Sequence, residues 1–204
     1  MSDTSTLLTN ITWSGAEILG STSDLFERTC TSVISECGCY RYLIREQWST
    51  ARVVGFVCHN PSTATHEKHD HTKSRLRNLA IAWQCGGYWI GNRYAGGRSP
   101  NPGDLDVMDD PIGPDNDRWL AMLAKEVDLI VVAWGNLYAP PERTQRVVEI
   151  LSSAGKPLYS LGTNANGSPR HPATRGRSGI PRDQQPVLWL PLTPSGDGQS
   201  RSIK

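Results

Sequence analysis

Two carboxamides and one imidazole, Asn60, Asn92 and His171, are the side chains in this sequence best set for chemistry. Asn60 stands before proline in Cys58-His-Asn-Pro-Ser-Thr63. Proline fixes its own φ and holds the preceding residue extended, so this carboxamide is rigidly aimed. Its oxygen can hold a water while its NH2 holds a second partner, although Asn-Pro is also an ordinary turn starter. Asn92 closes the run Gly87-Tyr-Trp-Ile-Gly-Asn92. There it either presents a donor and an acceptor to a nucleobase edge or satisfies its own backbone. His171, in Arg170-His-Pro172, opens a loop that carries Arg175, Arg177 and Arg182. Such a loop suits phosphate contact and support of a departing anion, or is a solvated basic segment.

Other clusters point to less. His59, His66, His69 and His71 are four of the five histidines, but their spacing matches no standard zinc pattern, and Cys37-x-Cys39 is too tight for a zinc knuckle. No metal and no cofactor is expected. Asp109-Asp-Pro-Ile-Gly-Pro-Asp-Asn-Asp117 lacks the acid spacing and glycine of a calcium loop. Asp115 and Asp117 read better as first-turn acids of a helix. Walker A, Gly-x-Gly-x-x-Gly and Gly-x-Ser-x-Gly motifs are absent, which argues against kinase, dinucleotide and serine-hydrolase chemistry.

These residues must be positioned by a core, and 204 residues suffice for one domain. The formal charge of +1 gives no global argument for nucleic acid or membrane. Locally, basic stretches at 61–99 and 150–182 flank an acidic one at 101–128 and can form a positive rim if the fold joins them. The longest aliphatic stretch, Leu129 to Trp134, is too short for a bilayer span. Five irregularly spaced cysteines do not form a disulfide framework. A cytoplasmic location is expected.

Hydrophobic periodicity predicts an α/β domain over 31–193, after an arm at 1–30 and before a flexible tail at 194–204. Strands are predicted at Val53–Cys58, Gly87–Asn92, Asp128–Trp134 and Pro157–Gly162. Helices are predicted at Asp70–Trp83, Pro114–Lys125 and Pro141–Ala154. This alternation implies a four-stranded, mainly parallel sheet between helical layers. An antiparallel hairpin around Glu36-Cys-Gly-Cys39 would be added to it, and Val187–Leu190 is a last edge strand. Ligands of such sheets sit outside the carboxyl ends of the strands, where Asn60 and Asn92 fall.

Tyr40-Arg-Tyr-Leu, Asn60-Pro-Ser-Thr-Ala, Asp109-Asp-Pro-Ile-Gly-Pro-Asp-Asn-Asp-Arg-Trp, Ala133-Trp-Gly and Arg170-His-Pro together resemble a small bacterial and phage domain family of unknown function. The resemblance runs from Tyr40 to Leu190. A strand ending in Asn-Pro, one ending in Asn, one entering Trp-Gly and a late His-Pro are also similar to the uracil-DNA glycosylase superfamily. That second resemblance implies a three-layer α/β/α fold, with Asn60 placing water, Asn92 reading the base and His171 supporting the leaving base. The superfamily includes anti-phage glycosylases that remove glucosylated hydroxymethylcytosine, so a role in phage defence is implied.

On this reading DNA is the partner, and a modified pyrimidine leaves its sugar as an anion through an oxocarbenium-like state. Asp70 or His59 takes the proton from water. Tyr94 or Trp134 stacks on the flipped base, although core packing is the more ordinary role for Trp134, and Gly96-Gly97 leave room for a ring substituent. Ser62, Thr63, Lys73, Arg75, Arg93, Arg170, Arg175 and Arg177 are the candidate DNA-binding residues. An enzyme of free nucleotides or nucleosides, a non-catalytic nucleic-acid-binding module and a histidine-dependent metalloenzyme are the competing classes.

Overall fold

The structure is a computed structural model and describes residues 16–23, 29–62, 70–97, 102–176 and 179–192. Eight strands form one sheet: β1 (Ala16–Ser23), β2 (Thr29–Ser35), β3 (Arg41–Gln47), β4 (Val53–Cys58), β5 (Gly87–Asn92), β6 (Leu129–Val132), β7 (Leu158–Ser160) and β8 (Val187–Leu190). Three helices connect the central strands: α1 (His71–Ala82), α2 (Asn116–Glu126) and α3 (Pro141–Ser152). The strand order is β1-β2-β3-β5-β4-β6-β7-β8.

The expected four-stranded, mainly parallel sheet is therefore corrected to an eight-stranded mixed one. Pairings β5-β4, β4-β6 and β6-β7 are parallel, whereas β1-β2, β2-β3, β3-β5 and β7-β8 are antiparallel. The hairpin is not an appendage. β3 pairs with β5 from Ile44↔Ile90 to Gln47↔Gly87, covering backbone groups that an edge strand would leave unpaired. Of residues 1–30, Ala16–Ser23 extend the hairpin as β1. Residues 1–15, 24–28 and the tail from 193 lie outside the described residues.

Side chains alternate across the sheet, as the twofold period of a strand requires. On one face Ile44, Val54, Phe56, Tyr88, Ile90 and Val131 pack with Leu76, Leu79, Ala80 and Trp83 of α1 and its cap. On the other, Leu43, Val57, Trp89, Ile130 and Val132 pack with Trp119, Leu120 and Leu123 of α2 and with Val147, Ile150 and Leu151 of α3. The molecule thus has helix, sheet and helix layers. At Gly55 a Cβ would stand 2.7 Å from Leu123 Cδ2, so the missing side chain lets α2 seat directly on β4. Among the described residues no helix is long and apolar enough to cross a membrane.

The chain steps from β4 outward to β5, then crosses to β6 on the other side of β4. Such a reversal leaves a crevice at the carboxyl ends of the strands, and the turns after β4, β5 and β6 meet there.

Candidate functional site

A cavity of ≈ 340 Å³ opens at this reversal, lined by Arg41, Cys58, His59, Asn60, Ser62, Asp70, Lys73, Asn92, Leu137, His171 and Ala173 among others. Asn60, Asn92 and His171, far apart in the chain, share this one space. Its volume is at the small end for a ligand pocket.

Local structure sets each group. The Asn60 amide donates from Nδ2 to Gly97 O at 2.9 Å, which fixes the direction of its oxygen. Asn92 is buried, and its amide, set with Nδ2 toward the backbone, donates to Asn60 O at 3.2 Å and Gly91 O at 3.3 Å. That corrects the expectation of a donor and an acceptor together: Nδ2 is consumed, so Asn92 offers its acceptor oxygen. The carbonyls of Asn92 and Arg93 in turn accept from Nδ2 of buried Asn116, both at 3.1 Å.

The His171 ring accepts at Nδ1 from the Ala173 backbone N–H at 3.2 Å. In the neutral ring that leaves the proton on Nε2. Burial lowers the His171 pKa, against an opposing pull from Asp70, and so favours the neutral ring. Room for this residue comes from Gly135, whose φ is +74°. A Cβ there would lie 3.0 Å from His171 Cβ.

His59 behaves differently from the proton acceptor expected. It is buried, and its Nδ1 faces Arg93 Nη2 at 2.7 Å. A guanidinium only donates, so Nδ1 accepts and the proton sits on Nε2. Burial, then the Arg93 charge, then His171 push its pKa down to about 3. His59 is a neutral wall rather than a base. Asp70 is the one carboxylate among the cavity's described lining residues. It also caps α1, its Oδ1 accepting from Lys73 N at 2.6 Å.

The expected cationic rim is rearranged. Arg93 is buried, bonded to His59, to Thr144 Oγ1 at 3.0 Å and to Leu137 O at 2.9 Å, with its guanidinium 5.2 Å from the Trp134 ring. It braces the interior and cannot meet a phosphate at the surface. Lys73 is buried too, with Nζ 3.4 Å from Cys30 Sγ and 4.0 Å from Glu46 Oε2. It nevertheless lines the cavity. Arg170 is half-buried, bonding Thr163 O at 3.1 Å. Arg75 is half-buried beside Arg182, Ser74 and His71 in a separate groove. Arg175 is exposed, and Ser62 lines the cavity. Thr63, Arg177, His66 and His69 lie outside the described residues. Among the described residues no group of three or more His, Cys, Asp or Glu is arranged to hold a metal.

Both aromatic candidates are engaged elsewhere. Tyr94 packs edge-on against His59, centroids 5.3 Å apart, and lines a neighbouring cavity. Trp134 lies in the core, edge-on to Trp189. The room expected at Gly96-Gly97 is filled: a Cβ at Gly96 would meet Met108 Cε at 2.6 Å, and one at Gly97 would meet Leu105 Cδ2 at 2.8 Å. Open space lies instead in that neighbouring cavity of ≈ 880 Å³, walled by Tyr94, Leu105, Met108, Ile112, Pro140 and Arg143 among others. The two cavities share His59 and Leu137, the two groups that Arg93 Nη2 holds.

Sequence reading missed two residues as site builders. Arg41, buried at the start of β3, lines the cavity and donates from Nη1 to Ser62 O at 3.0 Å. Its signal was its place within Tyr40-Arg-Tyr-Leu. Arg143, buried on α3, donates from Nε to Arg93 O at 2.8 Å and from Nη1 to Asp117 Oδ1 at 2.5 Å. Asp117 also accepts from Arg146 Nε at 3.1 Å. The acidic motif therefore holds the end of β5 rather than a metal.

A family model described as a protein of unknown function, DUF1643, matches residues 41–173, well over half of the chain. The chain belongs to the DUF1643 family. No curated protein and no solved structure matches it. The DUF1643 segment begins at Arg41 and ends at Ala173, the first and last residues in chain order that line the smaller cavity. Strands β1, β2 and β8 fall outside the DUF1643 segment.

Proposed function

We propose that this protein is a DNA glycosylase of the uracil-DNA glycosylase-like kind, acting in phage defence. It hydrolyses the N-glycosidic bond of a modified pyrimidine and leaves an abasic site. One observation carries the reading: the three side chains that the resemblance assigns to water, base and leaving group line a single cavity. The layered helix–sheet–helix architecture agrees with it.

The chemistry follows from the groups. Asn60, anchored through Nδ2, orients the attacking water with its oxygen, and Asp70 accepts the proton. Asn92 accepts a hydrogen bond from an N–H of the flipped base. Neutral His171 donates from Nε2 to the base as negative charge develops on it, while the buried cations Arg41 and Lys73 line the cavity, Lys73 beside Glu46. Preorganised donors in a water-poor site stabilise such an anion strongly. A bulky ring substituent, such as a glucosylated hydroxymethyl group, would extend past His59 into the larger cavity.

The test incubates the protein with phage DNAs carrying different hypermodified pyrimidines. Released base is read by mass spectrometry and abasic sites by alkali cleavage. Asn60→Ala is expected to abolish release while the thermal midpoint stays within a few degrees. Release at the wild-type rate by that variant overturns the mechanism.

A second reading is favoured by the burial of Lys73 and Arg41 at the cavity wall, which thins the surface rim and concentrates charge inside. On that reading the substrate is a free modified nucleotide whose phosphate meets the inner cations. Release from nucleotides but not from DNA would select it.

A further inference from the structure

The β2–β3 turn carries a chemical group that the proposed reaction does not use. Cys37 and Cys39 are both exposed and outside any disulfide, separated only by Gly38. Gly38 has a φ of +73° and donates its N–H to Ser35 O at 2.8 Å, so the chain curls at this point. The curl is tied at its base by Tyr40 N–H donating to Ser35 Oγ at 3.1 Å and Ser35 N–H to Tyr40 O at 3.0 Å.

The thiols converge within it. Cys39 Sγ–H points back to Cys37 O at 3.6 Å. The Ser35 hydroxyl lies 3.2 Å from Cys37 Sγ. Two residues one apart are at most about 7 Å apart between Cα atoms, and a curled turn brings them into the range a disulfide spans.

We propose that Cys37-Gly38-Cys39 is a redox-active dithiol whose substrates are small, low-molecular-weight disulfides. Cys37 is the attacking sulfur. The Ser35 hydroxyl and the Cys39 thiol stabilise its thiolate, which lowers its pKa from the ordinary thiol value. The Cys37 thiolate attacks one sulfur of the small disulfide and expels the other as a thiolate. Cys39 then attacks the Cys37 sulfur of the mixed disulfide, closing the internal bond and expelling the second small thiolate. The protein gives up two electrons and two protons, and one small disulfide becomes two small thiols. The buried cysteines differ in kind: burial pushes Cys58 up to about 12, and the Cys85 pKa is also raised.

The test treats the reduced, full-length protein with oxidised glutathione, quenches with acid and a maleimide, and maps the cysteine peptides by mass spectrometry. Wild type is expected to accumulate the internal 37–39 disulfide. Cys39→Ser should stop at a glutathione adduct on Cys37, Cys37→Ser should lose the internal bond, and Ser35→Ala should slow the first step severalfold. Cys37 and Cys39 lie in the turn and Ser35 ends β2, and an unchanged thermal midpoint shows that each variant folds. Only mixed adducts in wild type, or equal reactivity of Cys37 and Cys39 in the two single variants, would overturn the proposal. None of these readouts depends on base release, so the two proposals stand or fall separately.

Discussion

Buried, neutral His59 makes the stability of this fold sensitive to mild acid by an amount that follows from its surroundings. Its pKa in the folded protein is about 3, against 6.5 for the free side chain. A depressed folded pKa means that the unfolded chain binds the proton first. The stabilising contribution is therefore complete above pH 6.5 and is lost progressively as the pH falls toward 3. Each pH unit in that window is worth about 1.4 kcal/mol, so about 2 kcal/mol disappears between pH 7 and pH 5. For a chain of this length the thermal midpoint falls by roughly 4–8 °C. His59→Gln keeps an acceptor for Arg93 Nη2 but cannot titrate. Urea denaturation of both proteins at pH 7 and pH 5 reads the difference within each protein, so the constant cost of the substitution cancels. The variant should lose about 2 kcal/mol less than wild type over this interval. A residual loss should remain, because the His171 pKa is lowered in the same direction. Equal losses in the two proteins, or an NMR titration of His59 centred near 6.5, would refute the burial argument.

Further outcomes follow from other contacts. Arg93→Met keeps the stem but leaves His59 Nδ1, Leu137 O and Thr144 Oγ1 without their donor. It should cost about 2–4 kcal/mol in urea denaturation, and a loss under about 1 kcal/mol would mean that the brace is dispensable. Gly135→Ala meets both a left-handed backbone and the His171 side chain. It should cost about 1–3 kcal/mol and reduce base release by displacing that ring, and wild-type activity would contradict the packing assigned to it. Joint replacement of Arg75 and Arg175 by alanine should weaken DNA binding and flatten its salt dependence by about one unit of log–log slope per arginine. An unchanged slope removes these two residues from the interface.

Burial could be read from the sequence in one place where the expectation missed it. Lys73, Leu76, Ala80 and Trp83 follow the three-and-four spacing of a single helix face, so Lys73 belongs with the core side of α1. Chemistry alone made it a surface phosphate ligand. Arg93 carried no such signal. It follows the last residue of β5, and its partners come from residues 59, 137 and 144. Only the folded chain brings them to one point.

Local patterns, by contrast, were legible from residue 31 onward, whereas β1 fell within the expected arm. Expected and observed bounds coincide for β4, β5 and β8, and differ by a few residues for α1, α2 and α3. Strand and helix periodicity, capping residues and turn residues all act within a few residues of chain, so the sequence by itself determined which segments became strands and helices. It also determined that Asn60 and Asn92 would stand at strand ends. The tertiary structure alone decided which strands became neighbours, how wide the sheet grew, and whether a given arginine faced solvent or the interior. Those outcomes depend on contacts between residues tens of positions apart, whose energies no local spacing encodes. The same long-range pairing turned three dispersed polar side chains into the walls of one cavity.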